Sequence, residues 1–185
     1  MYNIDAQGLL QPASFKPSPH CDARPDNIAI DMVVVHGISL PPGEFGQNMV
    51  EPFFCGQLDP SAHPYFETIA NLKVSAHLFI NRQGLITQFV PFLQRAWHAG
   101  QSLFQERQNC NDFSIGIELE GTDITPYEEA QYQTLAKVIT LLQKQYPQIT
   151  PNRIVGHSDI APQRKTDPGP VFNWKYLREL LIGSV

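Results

Sequence analysis

The chain has 185 residues, of which 42% are hydrophobic and 17% are charged, with a net charge of −5. This length and composition predict one soluble domain with a sizeable core. The acidic balance argues against a basic face that neutralises nucleic acid or acidic polymers. No apolar run approaches the roughly 18 residues of a membrane span. Neither nucleic acid nor a membrane is therefore an expected partner.

The N-terminal segment and the cysteines indicate a cellular compartment. MYNIDAQGLLQPASF has neither a positive leading segment nor a long apolar run, so no signal peptide is expected. The three cysteines, Cys21, Cys55 and Cys110, form no CxxC spacing, which argues against a disulfide framework or a thiolate zinc site. These features predict a cytoplasmic protein with reduced thiols.

Regular elements are predicted after an irregular, proline-rich lead-in over residues 1–27. Residues 29–36 form a β-branched apolar run, typical of a strand buried on both faces. ISLPPGEFGQN, which follows, carries two prolines and is interpreted as a loop. Helical spacing marks residues 63–71. Residues 74–80 and 85–91 then predict a hairpin around the turn NRQG.

The next segments are a loop and a strand. Residues 94–111 show no clear period and are interpreted as a long surface loop, which in a compact domain is usually functional. DFSIGIELEG predicts a strand that places Ile115, Ile117 and Leu119 on one face. The opposite face carries Gly116, Glu118 and Glu120.

The C-terminal third is predicted to hold two helices. Thr125 and Glu128 form a capping box, Pro126 occupies the first helical position, and an apolar stripe continues until Pro147. A short strand over residues 153–157 follows. A last helix is predicted from about residue 173 to residue 181. No internal repeat or domain boundary is visible, so residues 1–185 are expected to form a single domain.

The stretch IVGHSDIAPQRKTDPGP, residues 154–170, suggests a metal site. It ends a predicted strand at His157 and brings Asp167 back ten positions later. His36 ends the other apolar strand, and two such strands side by side would aim both imidazoles at one end of a sheet. Two imidazoles and one carboxylate, with a position left for water, are the ligands of a catalytic zinc ion.

Simpler explanations exist for each of these residues. A single histidine at a strand end is more often structural, so the metal site is favoured by the conjunction of three ligands. Asp159 is the rival carboxylate, although a ten-residue loop wraps round one ion more easily than a residue two positions away. Asp159 is then either a cap or a partner of a ligand histidine. The competing histidines are His20, His63, His77, which suits the core or support of a ligand, and His98, which suits the substrate wall.

This ligand set predicts amide hydrolysis. A zinc ion with two neutral imidazoles and one carboxylate lowers the pKa of a bound water to roughly 7. Glu118 would act as general base and then acid, and Lys165 would face the developing oxyanion. The alternatives are a solvated carboxylate for Glu118, with Glu120 as its confounder, and an ordinary loop lysine for Lys165. The signatures HExxH and GxSxG are missing from the sequence.

Five pieces between about residues 30 and 170 carry a family resemblance: VVVHGISLPPGEFG, VSAHLFI, RAWHAGQS, NDFSIGIELEGTD and IVGHSDIAPQRKTDPGP. They resemble the zinc-dependent N-acetylmuramoyl-L-alanine amidases, especially the type that acts on 1,6-anhydromuramyl peptides. The resemblance implies an α/β fold with a central mixed β-sheet flanked by α-helices, shared with peptidoglycan recognition proteins. It also implies zinc bound by His36, His157 and Asp167, with Glu118 as acid/base and Lys165 stabilising the tetrahedral intermediate.

The resemblance further implies a substrate. The bond attacked joins the lactyl group of muramic acid to L-alanine, in a small soluble anhydromuramyl peptide of cytoplasmic cell-wall recycling, and the enzyme is expected to be a monomer. Trp97 would stack on the sugar or peptide, and Lys73 and Arg107 would pair with peptide carboxylates. Gly37 stands where asparagine is expected, which predicts a lost hydrogen bond to the substrate and a lower affinity.

Two other functions stay open at this point. An exported or phage-type amidase would act on intact peptidoglycan, but the missing signal peptide and the acidic charge weigh against it. A recognition module would bind muramyl peptides without cutting them. The retention of all three ligands and of Glu118 argues against such a module.

Overall fold

The computed structural model describes residues 2–183, and its centre is one six-stranded mixed sheet. The strands, labelled in chain order, are β1 (Ser14–Phe15), β2 (Met32–Ile38), β3 (Leu78–Ile80), β4 (Ile86–Gln88), β5 (Ser114–Glu120) and β6 (Ile154–Gly156). Their spatial order is β6-β2-β5-β3-β4-β1. Within this sheet β3 and β4 pair antiparallel, as the predicted hairpin requires, and the other neighbours pair parallel.

Within residues 2–183, five α-helices accompany the sheet: α1 (Val50–Phe54), α2 (Pro64–Ile69), α3 (Glu129–Gln145), α4 (His157–Ile160) and α5 (Trp174–Ile182). Short 3₁₀ helices span Pro60–Ala62, Cys110–Asp112 and Pro151–Arg153. The predicted α/β class, a central mixed sheet flanked by helices, is confirmed. No helix within residues 2–183 combines the length and the apolar character that crossing a membrane demands.

The two central strands have faces of different character. Val33 and Val35 of β2 share a core cluster with Ile117 of β5 and with Leu135 and Ile139 of α3. Because side chains alternate along a strand, the opposite face of the same strands carries the polar candidates. His36 and Glu118 are register partners there. The alternation predicted for residues 115–120 therefore places one face in the core and puts the candidate catalytic residue Glu118 on the other.

Helix α3 begins later than the sequence predicts. Its N-cap is Glu128, which forms a capping box with Gln131, so the box predicted at Thr125 is wrong by three residues. The physical reason is that the Gln131 side chain donates to the carbonyl oxygens of Ile80 and Glu120 at 3.2 and 3.1 Å. These bonds tie the first turn of the helix to the ends of β3 and β5.

The N-terminal segment and residues 94–111 are more ordered than predicted. Within the described part of the lead-in, Asn3–Ile4 pairs with Leu10–Gln11, β1 joins the sheet, and Cys21–Ala23 pairs with Gln94–Ala96. Residues 94–111 also contain the paired strands Leu103–Phe104 and Arg107–Gln108. They are not a surface loop, because Ala99 and Cys110 are fully buried against Met32 and Val34 of β2. This segment covers the polar face of the sheet.

Candidate active site

Two strand ends and one loop bring His36, His157 and Asp167 together. His36 lies near the end of β2, and His157 is the first residue of α4, one residue beyond the end of β6, whereas the predicted strand included it. The helix starts there because Asp159 accepts from Gly156 N at 2.7 Å, which is the cap role weighed for Asp159. Ser158 N donates to the Asp167 carbonyl oxygen at 3.0 Å and so fixes the returning loop.

The three side chains converge on one point. His36 Nδ1 lies 3.0 Å from His157 Nδ1 and 3.2 Å from Asp167 Oδ2, and His157 Nδ1 lies 3.1 Å from the same oxygen. In a tetrahedral zinc site with bonds of about 2.0–2.1 Å, neighbouring ligand atoms lie roughly 3.3 Å apart. The observed separations therefore fit three ligands of one ion.

The hydrogen-bonding chemistry of this trio also fits a cation. His157 Nε2 lies 3.1 Å from the Ala99 carbonyl oxygen, which can only accept, so Nε2 carries a proton, and in the neutral ring Nδ1 presents a lone pair. The Asp167 carboxylate is likewise an acceptor. Burial lowers the pKa of His36 to about 4, so its imidazole is neutral. Neutral imidazoles and a carboxylate are the form in which these groups bind metal.

Glu118 is buried beside the trio with an unsatisfied oxygen. Its side chain is 9% exposed, and Oε2 has no hydrogen-bond partner within residues 2–183. Burial, reinforced by the nearby Asp167 charge, raises the pKa of Glu118 well above its usual range. A carboxyl group with a raised pKa and a free oxygen is suited to exchanging a proton with a substrate or water.

Two residues of the trio, His157 and Asp167, line a cavity of about 320 Å³. Polar lining also comes from Glu118 and Lys165, and apolar lining comes from Leu40, Phe53, Phe54, Ile69, Leu72 and Val74. Lys165, half-buried, supplies the ammonium group among the described lining residues. The cavity therefore holds the Glu118 carboxyl group and the Lys165 ammonium group together with two of the candidate metal ligands.

Of the four predicted substrate contacts, the structure places Gly37 in the cavity wall. A side chain at this position would overlap the Tyr127 hydroxyl, which donates to the Pro168 carbonyl oxygen at 2.9 Å. The space that an asparagine Cβ would need is therefore taken by a tyrosine that holds the residue after Asp167.

The other three lie outside the cavity lining. Trp97 is half-buried, and its indole N–H donates to Asp22 at 3.1 Å while its ring stacks near His20. Lys73 is exposed. Arg107 pairs with Asp31 at 2.5 Å. Asp31 precedes His36 by five residues, so at about 3.3 Å per residue this pair lies roughly 16 Å from the trio.

One histidine in the site has partners that sequence patterns did not indicate. His98, expected in the substrate wall, does line the cavity, but its Nδ1 also lies 2.9 Å from His36 Nε2. Its position in a segment without periodicity carried no signal for this contact. The signal that could have indicated a ring at this place was Gly116, the glycine next to Glu118 on the same face of β5. The His98 ring occupies the space that a side chain at Gly116 would fill.

Comparison with known proteins identifies the class to which this fold and site belong. Residues 26–170 match the family model described as N-acetylmuramoyl-L-alanine amidase. The chain therefore belongs to this family of amidases, enzymes that hydrolyse an amide bond, and the predicted family is confirmed.

Within this family, the chain is 57% identical over 175 residues to the 1,6-anhydro-N-acetylmuramyl-L-alanine amidase AmpD of Escherichia coli K12, with 95% of each chain covered. The crystal structure of a selenomethionine AmpD derivative superimposes with a TM-score of 0.93 at 56% identity, covering 97% of this chain and 99% of that one. A complex of E. coli AmiD with the substrate anhydro-N-acetylmuramic acid-L-Ala-D-γ-Glu-L-Lys gives a TM-score of 0.60 at 28% identity, covering 96% and 65%.

Proposed function

We propose that this enzyme hydrolyses the amide between the lactyl group of 1,6-anhydro-N-acetylmuramic acid and L-alanine, in the recycling of peptidoglycan. The observation that carries the proposal is the convergence of His36, His157 and Asp167 within 4.8 Å of one another beside Glu118, one oxygen of which has no hydrogen-bond partner in the described part of the chain. The substrate follows from the similarity to AmpD over 95% of the chain and from the muropeptide bound by AmiD.

His36, His157 and Asp167 would hold a zinc ion, which when bound supplies a Lewis acid and lowers the pKa of water toward 7. Glu118 takes a proton from the water that attacks the lactyl carbonyl carbon. The ammonium of Lys165 faces the oxygen on which negative charge develops. Glu118 then delivers its proton to the amide nitrogen as the C–N bond breaks, which releases the lactyl carboxylate and the peptide amine.

The enzyme is proposed to work as a cytoplasmic monomer. Its cysteines, Cys21, Cys55 and Cys110, are free thiols, which suit a reducing compartment. Sedimentation analysis of the purified protein checks the monomer.

Metal analysis combined with two hydrolysis assays tests the proposal. One zinc per chain and release of peptide from anhydromuramyl peptide are expected, with far slower clearing of intact sacculi. Equal rates on both substrates would indicate an amidase of intact peptidoglycan. Tight binding of the muropeptide without any release of peptide would contradict hydrolysis altogether.

A further inference from the structure

His98 connects a candidate zinc ligand to the backbone of the polar sheet face. Its Nδ1 lies 2.9 Å from His36 Nε2, and its Nε2 lies 3.0 Å from Ser114 Oγ. The ring is 8% exposed and lies against Gly116 so closely that any side chain there would overlap it. The ring therefore has one position, set by a glycine of β5.

The direction of every proton in this chain of contacts follows from its far end. Ser114 Oγ lies 2.5 Å from the Cys110 carbonyl oxygen, which can only accept, so the single hydroxyl proton points there. Ser114 Oγ must then accept from His98 Nε2–H. In a neutral imidazole the other nitrogen is an acceptor, so His98 Nδ1 receives the proton of His36 Nε2–H. His36 Nδ1 is left with a lone pair directed at His157 and Asp167.

Ala99, the residue after His98, contacts Nε2 of the other candidate ligand histidine, His157. The Ala99 carbonyl oxygen accepts from His157 Nε2 at 3.1 Å, so in the neutral imidazole Nδ1 carries the lone pair. Asn111 fixes both residues, because its Oδ1 accepts from the backbone N–H groups of His98 and Ala99 at 3.1 and 2.8 Å. The dipeptide His98–Ala99 thus contacts Nε2 of both His36 and His157.

We propose that the His98–Ala99 segment, held by Asn111 and Ser114, is the positioning element that selects the Nδ1-unprotonated tautomer of His36 and His157 and so prepares the trio for a cation. His98 is a positioning residue that acts through His36. The proposal rests on the proposed function for the identity of the cation. The tautomers themselves belong to the metal-free protein and are measurable without it.

Long-range ¹H–¹⁵N correlation spectra of the metal-free enzyme report which nitrogen of each histidine carries the proton. Protonation at Nε2 is expected for both His36 and His157, and protonation of His36 at Nδ1 would overturn the proposal. His98→Leu should give a mixture of tautomers at His36. His98→Asn should restore the Nε2–H form, because its amide oxygen lies near the position of the lost Nδ1.

Zinc affinity, measured by competition with a chelator, gives a second result. His98→Leu should weaken binding about 10- to 100-fold, as loss of a partner of a ligand histidine typically does. Ser114→Ala should shift the tautomers and weaken zinc binding in the same direction. Its matched control is Ser18→Ala, which also deletes a buried hydroxyl that donates to a carbonyl oxygen, that of Phe54, but within the described residues has no hydrogen bond to a candidate ligand histidine.

Equal zinc affinities in Ser114→Ala, His98→Leu and the parent enzyme would overturn the positioning role. The Ser114→Ala comparison decides the matter if His98→Leu does not fold. A parent enzyme with the expected tautomers that binds no zinc would contradict the proposed metal and leave the tautomer assignment standing. The two failures are therefore distinguishable.

Discussion

Two carboxylates on the same face of β5 differ in their surroundings. Both oxygens of Glu120 are bonded, Oε1 to Gly46 N at 2.5 Å and Oε2 to Arg82 N at 3.1 Å. Glu118 Oε2 has no such partner in the described chain. A carboxylate with both oxygens engaged by backbone N–H groups holds loops in place, whereas one with a free buried oxygen is available for proton transfer.

This difference predicts opposite effects of the same substitution. Glu118→Gln should reduce kcat on anhydromuramyl peptide about 10²- to 10⁴-fold with zinc content unchanged, because only the proton-transferring oxygen is lost. Glu120→Gln, two residues away on the same face, is the control and should keep kcat within a few-fold. Steady-state kinetics with metal analysis check both variants, and comparable losses of kcat would assign no special role to Glu118.

Asp167 should behave differently from Glu118. Asp167→Ala removes the only carboxylate of the described ligand trio, so zinc content and activity should be lost together. Elemental analysis after dialysis measures the first and the hydrolysis assay the second. An active, zinc-replete Asp167→Ala enzyme would require a different ligand.

At the scale of elements, the segment leading into α3 packs onto the ends of β2 and β5 through one aromatic ring. Tyr127 is buried, and it occupies the space beside two glycines, Gly37 after His36 and Gly121 after Glu120. Its hydroxyl reaches the Pro168 carbonyl oxygen. The Tyr127 ring therefore joins the segment before α3 to the ends of β2 and β5 and to the loop that carries Asp167. Glycines at positions 37 and 121 leave the space that the ring occupies.

A double-mutant cycle tests this packing. Gly37→Ala should cost about 1–3 kcal/mol of unfolding free energy, because its Cβ displaces the Tyr127 hydroxyl. In a Tyr127→Phe background the nearest remaining ring atom is Cζ, at 3.5 Å, so the same change should cost much less. Urea unfolding measures each free energy.

Gly121→Ala is the matched control for this cycle. Its Cβ would overlap carbon atoms of the Tyr127 ring, which phenylalanine retains, so its cost should stay high in both backgrounds. Additive costs for Gly37→Ala and Tyr127→Phe would contradict the contact.

At the scale of the whole molecule, the sheet has an apolar face under α3 and α5 and a second face on which neutral histidines are buried. Burial lowers the pKa of His77 and His98 well below the usual range. An unfolded histidine titrates near 6.5, so below that pH the unfolded chain binds protons that the folded chain does not. Each such histidine therefore destabilises the fold as the pH falls.

The metal-free enzyme should accordingly lose unfolding free energy below about pH 6.5, by up to about 1.4 kcal/mol per pH unit for each of these histidines. The raised pKa of Glu118 acts in the opposite sense, because its protonated form is favoured in the fold. His77→Gln isolates one contribution. Urea unfolding at about pH 7.5 and 5.5 should show a smaller loss in this variant than in the parent, and an equal loss would contradict the assignment.

Local patterns predicted much of the architecture. Period-2 alternation placed Ile117 and Glu118 on opposite faces of β5, and the apolar stripe before Pro147 predicted α3, because both patterns arise from the geometry of a single element. The start of α3 was missed, since contacts of Gln131 with two strand ends override the local capping signal. Charge alone also led to Arg107 as a substrate contact, while Asp31 holds it at the other end of β2.

The sequence by itself determined the α/β class, the family, and the residue types from which the site is built. Only the tertiary structure decided which of them meet, which carboxylate of β5 stays unpaired, and how His98 and Ala99 face the two histidines. The reason is physical: helix and strand periodicities act over a few residues, whereas His36 and His157 are 121 residues apart and are brought within 3.0 Å by the parallel pairing of β2 with β6.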